Sequence, residues 1–523
     1  DRCHPMPHCS EPTIHPRPMT NATTIAPDAP LNPFPDANVD DWRALVDKAL
    51  KDVPFESLTT TTLDGIEIAP LYTRADTVDL PIVNAWSGAT RALDIAREGA
   101  TPWDIRTLHA ETDPAQVNAA VLEDLVGGAS SVCLQMAASG QHGLPARLDA
   151  IDAALAGAHT DMIHTSLLAG DQYIGGALAL QALWDARDAK AGQRRGAVNA
   201  DPLGHLARTG QLEEKLYDTL RTLAHFIATN HAEWPDVTLM LADARPYHEA
   251  GASEAQELAA MLATFVSYLR LGDEDGIAPY KVLPKIAVAL AADADIFLNL
   301  AKIRAARLLI GRVAEACGAE MFADTVPIWI TTSERMMSTM DRHNNMLRTT
   351  SAAASAVMAG ADAITVLPFD WAEGTNDAMA RRMARNTQIM LAEESHFGRV
   401  ADPASGAWYV EHLTDALARN AWEKFQALET GHGIEEALRT GSLQDEIAAT
   451  ADQRRKAIAD GDAPLVGVSQ FPPADASPAA AARYKAAVTD GTPGEKIRPL
   501  ERLRLAEPYE TAARTAHETG ATS

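Results

Sequence analysis

A chain of 523 residues that is 46% hydrophobic and 22% charged has an ordinary globular composition, long enough for one large barrel with flanking pieces. Its formal net charge of −26 excludes the basic face that nucleic acid or an anionic membrane surface would require. No apolar run approaches the ~20 residues that cross a bilayer, and four cysteines make no disulfide framework, which fits a reducing cytoplasm.

Residues 1–40 read as a disordered leader and extended arm. The stretch Asp1–Pro18 is rich in Pro and His and has no apolar centre, so it is no secretory signal. Its Cys3, His4, His8 and Cys9 would chelate a metal only adventitiously. Residues 41–128 read as a segment leading into the main body. Asp40–Leu50 is expected to be a helix with Trp42, Leu45, Val46 and Leu50 on one side, and Thr59–Tyr72 a hairpin about Asp64-Gly65.

From Ser130 the pattern predicts eight short strands: Ser130–Met136, Asp161–Leu167, Gly196–Ala200, Val237–Asp243, Ile286–Ala291, Pro327–Thr332, Ala363–Phe369 and Phe397–Asp402. Helical stretches such as Glu254–Leu269 and Ile296–Cys317 separate them, placing Cys133 and Cys317 in core elements. Eight strand–helix alternations favour an α/β fold of the (β/α)8 TIM-barrel type over residues 129–412, rather than an open sheet. Residues 413–523 read as helices followed by a linker, with a Pro-, Gly- and Ala-rich stretch at Gly461–Gly494.

Barrel enzymes place their chemistry at the carboxyl ends of the strands. The chain offers no P-loop, zinc-spaced Cys/His pattern or nucleophile elbow. His164 reads as a core histidine, and Glu393-Glu394-Ser395-His396 as packing and ion-pair chemistry. The stripe Lys302-Ile-Arg304-Ala-Ala-Arg307 reads as a solvated or salt-bridged helix face.

Three runs, MLRTTSAAASAVMAGADAITVLPFD, ARNTQIMLAEESHFGRVADP and SGAWYVEHLT, carry a resemblance to the methylmalonyl-CoA mutase family, above all to its small (beta) subunits. The resemblance extends over roughly Leu31–Pro508. It implies a partner subunit that is larger, binds adenosylcobalamin and converts methylmalonyl-CoA to succinyl-CoA in propionate metabolism. In that family, segments ahead of the barrel wrap onto the partner.

The same resemblance implies that this chain is inactive alone. Pro102-Trp-Asp-Ile-Arg106-Thr-Leu108 is similar to a family motif whose Thr and Arg touch coenzyme A and whose Tyr assists cobalt–carbon cleavage. Here Arg106 is kept, Asp104 replaces the Thr and Leu108 replaces the Tyr. Aligning Glu249-Ala-Gly-Ala252 puts Arg245 and Pro246 at the family's Tyr-His pair, whereas a register slid by two would offer Tyr247 and His248 instead. Asn199 and Lys285 match a Gln and a coenzyme A-binding Arg. The nearest match to the cobalt-ligating motif, Asp341-Arg-His343-Asn-Asn-Met346, ends in Met and is read as chance. No metal ligand and no cobalamin-binding domain are expected here. Two alternatives remain open: a catalytic acyl-CoA mutase barrel served by a cobalamin domain on a separate chain, or a barrel lyase.

Overall fold

The computed structural model describes residues 38–80, 103–375, 377–474, 478–482 and 492–519. The expectations for residues 1–37, including Cys3 and Cys9, lie outside them. Two compact units divide the chain, 1–59 and 60–523. In the first, Asn38 caps the helix Val39–Leu50 by accepting the Asp41 amide at 2.8 Å. None of that helix is buried, and Trp42 meets Phe55 edge-on at 6.0 Å.

The second unit opens with the expected hairpin, β1 (Thr60–Thr61) against β2 (Glu67–Ile68). Its turn is pinned to the main body. The Asp64 carboxylate accepts the Ser253 hydroxyl at 2.5 Å and the Ala255 amide at 3.0 Å, at the start of the helix Glu254–Glu274, while Asn420 donates to the Asp64 carbonyl. Burial, then the neighbouring Glu254, raises the carboxyl pKa. Asp64→Ala should cost about 1 kcal/mol, the usual worth of a helix-capping oxygen; a urea midpoint unchanged from wild type would contradict this anchoring role.

Eight parallel strands close the barrel, in the order β3 (Asp104–His109), β4 (Ser131–Gln135), β5 (His164–Leu168), β6 (Gly196–Ala200), β8 (Val237–Asp243), β9 (Ile286–Ala292), β10 (Ile328–Thr332) and β11 (Ala363–Thr365), back to β3. The short β7 (Gln211–Leu212) stands outside it. The (β/α)8 class is therefore as expected, but its strand list is corrected at both ends. Phe397–Asp402 is no strand: His396 at φ 59° starts a 3-10 turn over Phe397–Arg399. The missing member is β3, which moves the start of the barrel ahead of residue 129. Its residues Asp-Ile-Arg-Thr-Leu-His include only two apolar side chains, kept apart by Arg106 and Thr107, so it lacks the short apolar centre by which the other strands were recognised. Cys317 is also corrected, since it lies exposed at the end of the helix Ile296–Ala316.

The basic stripe on that helix is salt-bridged: Lys302 and Arg304 are buried, and the half-buried Arg307 pairs with Asp362 at 2.8 Å. Lys302 donates to Glu257 at 2.6 Å and to the Ala291 carbonyl at 2.7 Å. Arg304 reaches Glu411 at 2.8 Å, Asp402 at 3.1 Å and Thr414 at 3.2 Å. These ion pairs fasten the helix to its neighbours, Glu254–Glu274 and Trp408–Thr430.

Helices Trp408–Thr430, Gly433–Thr440 and Ser442–Asp460 follow the barrel, and a strap from β12 (Glu495–Lys496) to Ala506 then crosses its carboxyl face. Strand β12 pairs antiparallel with β7, and the amides of Ile497, Leu500, Leu503 and Leu505 donate to the carbonyls of Gly210, Ala207, Glu249 and Arg335. Gly210, at φ 74°, permits this approach: a Cβ there would stand 2.8 Å from the Ile497 carbonyl oxygen.

Candidate functional site: the barrel bore and its mouth

Side chains two apart on a strand share a face, so β3 turns Asp104, Arg106 and Leu108 to one side. Arg106 lies within the bore, its guanidinium carbon 4.4 Å over the Trp329 ring. Its Nε donates to Ser131 Oγ at 2.8 Å, and one terminal nitrogen stands 3.3 Å from His164 Nδ1. His164 in turn meets the Trp329 ring at 6.0 Å. Burial lowers the pKa of both Arg106 and His164; the Asp104 carboxylate opposes the effect at Arg106, whereas Arg106 and Arg195 reinforce it at His164.

TIM-barrel interiors are usually packed with branched aliphatic residues. Here the inward set includes Ser131, Cys133, Ser166, Ala197, Ala287 and Ala289, and the Arg106–Trp329 stack fills the space they leave. A cavity of about 20 Å³ survives, lined by Arg106, Cys133, Asn199, Arg245, Thr331 and Thr365, among others.

Above it, Arg245 closes the mouth. Its Nε and Nη2 grip Asp243 at 2.7 and 2.8 Å in a two-pronged fork, and Nη1 crosses to Thr331 at 3.1 Å. Arg208 binds the same carboxylate at 2.7 Å. Despite the opposing effect of burial, the two guanidiniums hold the Asp243 pKa low, and Asp243 holds that of Arg245 high. Pro246 lies in the first turn of the short helix Arg245–Glu249, where its missing N–H costs nothing, and is buried. Leu108 packs against Leu367 and Trp371, with Met337 and Ala372 in the same apolar cluster. Beyond these residues opens a cleft of about 700 Å³, whose wall includes Gln135, Gln141, Arg208, Glu249, Trp371 and the strap residues Leu500 and Arg502.

The slid register does not bring an imidazole to this mouth. His248 is fully buried, with Nδ1 3.0 Å from Glu257 and Nε2 2.9 Å from Ser333 Oγ. Lys285 precedes β9 at the amino end of the barrel, and its ammonium is engaged by the carbonyls of Trp234 at 2.5 Å and Pro235 at 2.7 Å. Burial brings its pKa down to about 8. Asp104, also at an amino end, stands 3.7 Å from Arg106. Asn199 does face the bore; it occupies the left-handed region at φ 55°, where β6 slips register against β8, and donates to the Leu167 carbonyl at 2.7 Å.

Of the residues singled out in the sequence, Arg106, Leu108, Asn199, Arg245 and Pro246 therefore gather at the bore and mouth, whereas Lys285 does not. Asp243, Arg208 and Trp329 were missed. A carboxylate and a guanidinium two places apart at the end of a strand, Asp243-Ala-Arg245, was the available signal. His343 is exposed at the start of the helix Asn344–Met358, its ring 5.2 Å from Phe369. Among the described residues no group of three or more His, Cys, Asp or Glu side chains could hold a metal ion.

Behind the mouth, Asp201 accepts the Tyr268 hydroxyl at 2.5 Å and the Gly204 amide at 3.0 Å. Burial and the adjacent Asp243 push its carboxyl up to about 7. A carboxyl raised on folding lends stability that is complete below its unfolded pKa and is lost as pH rises through the folded one. Relative to Asp201→Asn, the wild type should thus lose stability from pH 5 to about 7 and level off above that. A difference independent of pH would contradict the assignment.

Comparison with known proteins places the chain. The family model described as Methylmalonyl-CoA mutase matches residues 61–514. The methylmalonyl-CoA mutase small subunit of Streptomyces virginiae is 43% identical over 477 residues, covering 88% of this chain and 76% of that protein. The corresponding small subunit of Propionibacterium freudenreichii subsp. shermanii is 32% identical over 456 residues, covering 84% and 69%. The methylmalonyl-CoA mutase of Escherichia coli (strain K12) is 27% identical over 463 residues, covering 83% and 64%.

Proposed function

The chain belongs to the methylmalonyl-CoA mutase family, and from that premise we propose that it is the small, non-catalytic subunit of an adenosylcobalamin-dependent mutase converting methylmalonyl-CoA to succinyl-CoA. In this reading a large subunit binds the cofactor and performs the reaction, and this barrel stabilises it by binding its folded form. Both subunits would work in the cytoplasm.

The observation that carries the reading is the closed mouth: Arg245, clamped by Asp243 and Thr331, occupies the entrance to the bore. A chain shielding a radical reaction needs an enclosed space with polar groups aimed at the substrate. The bore below Arg245 retains about 20 Å³, far below the ~300 Å³ at which small-molecule pockets begin. The larger cleft of about 700 Å³ above it is walled by Leu108, Arg245 and Pro246 at the positions where the family's catalytic groups would stand. The groups at the mouth fit the cofactor and thioester poorly. Leu108 offers no hydroxyl, Pro246 offers no proton, and His248 is committed to Glu257 and Ser333. In this reading the chain takes no catalytic step, and Arg106, Asn199 and Lys285, for which the resemblance implies coenzyme A contacts, are engaged elsewhere. All three already bond to groups within the chain.

The test is mutase assay with added adenosylcobalamin, of this chain alone, of a large subunit alone, and of the two together. No turnover by this chain and an equimolar complex with the large subunit are the expected results. Turnover by this chain alone, or on adding an isolated cobalamin domain, would overturn the reading.

A further inference from the structure

Three polar side chains converge on the small cavity within the bore without a direct bond joining them all. Asn199 is 97% buried, its amide nitrogen is committed to the Leu167 carbonyl, and its Oδ1 has no partner in the protein. Arg106 and Arg245 line the same cavity from opposite strands, with the hydroxyls of Thr331 and Thr365 beside them. A buried amide oxygen left unpaired bears the full cost of its lost hydration, and the left-handed backbone at Asn199 adds strain. Both costs fall on one residue.

We infer that the bore holds a single ordered water molecule, donating one hydrogen bond to Asn199 Oδ1 and accepting from an inward-facing guanidinium. The volume fits. A cavity needs roughly 10–15 Å³ to admit one water and two to four polar neighbours to keep it, and this one offers about 20 Å³ and polar walls. The alternative occupant, a halide, would satisfy the guanidiniums but would set a negative charge against the Asn199 oxygen, which only a donor can satisfy. The water thus completes the closure of the bore, joining the strained strand β6 to one of the two guanidiniums that line the cavity.

Crystals of the wild-type chain diffracting to about 1.5 Å, a resolution at which waters are placed singly, decide this. One peak within hydrogen-bonding distance of Asn199 Oδ1, with no anomalous signal after a bromide soak, is the expected result. An anomalous bromide peak at that position would overturn the inference in favour of an anion. An empty cavity, or Asn199 Oδ1 bonded directly to a protein donor, would overturn it as well. None of these outcomes depends on whether the chain has mutase activity, so the test stands apart from the functional assignment.

Discussion

Replacing Lys302 by Met is expected to destabilise the folded chain by about 3–5 kcal/mol, the cost of leaving a buried charge without its counterpart. Lys302 and Glu257 are both fully enclosed. Glu257 accepts the Ala291 amide at 2.9 Å as well as the ammonium, and His248 stands 3.0 Å away. In the wild type that imidazole is held neutral by burial, by the adjacent Arg335 and by Lys302 itself. The second substitution Glu257→Gln in the Lys302→Met background should restore part of the loss, since the carbonyl of a Gln can still accept the Ala291 amide. Urea unfolding of the wild type, both single variants and the double variant tests the point. Additive losses would show that Lys302 and Glu257 act independently.

Arg304→Met should be comparably damaging, about 3–5 kcal/mol near pH 8, and it should also create a new pH dependence. Arg304 is the cation between Asp402 and Glu411, whose side chains are almost wholly buried. Burial already raises the Asp402 carboxyl, and Arg304 is the chief influence opposing it. Without the guanidinium its folded pKa rises further, so the folded state retains a proton that the unfolded chain has released. Stability is then greatest at low pH and falls as pH rises through the folded value. The variant should therefore be closer to wild type at pH 5 than at pH 8. A loss equal at both would mean that the two carboxylates find another counter-charge.

These two residues also mark where reading the sequence stopped short. The stripe Lys302, Arg304 and Arg307 reads in sequence as solvated or salt-bridged, because periodicity ranks charged residues as outward-facing. The salt bridges are there, but the burial of Lys302 and Arg304 was not legible. Only the partners reveal burial, and they lie far away along the chain: Glu257 is 45 positions before Lys302, and Glu411 is 107 positions after Arg304. Seven of the eight barrel strands were legible because their apolar centres are contiguous. Strand β3 was not, since it carries Arg106 into the bore, and the turn at His396 was read as a strand because Phe-Gly-Arg-Val has the same short apolar texture. At the site, Leu108, Arg245 and Pro246 were visible as departures from a motif. What Arg245 does instead was not, because the fork depends on Asp243, and the cross-bore bond on Thr331, 86 positions later.

The strap has a kinetic consequence. Four main-chain amides spaced along the strap, those of Ile497, Leu500, Leu503 and Leu505, are tied across the carboxyl face of the barrel. A molecule approaching along the barrel axis from that side therefore meets a tethered roof rather than a hinged flap. Widening the cleft on the side of the strap would require local unfolding of that segment, and deuterium uptake at those four amides would report how often the roof lifts.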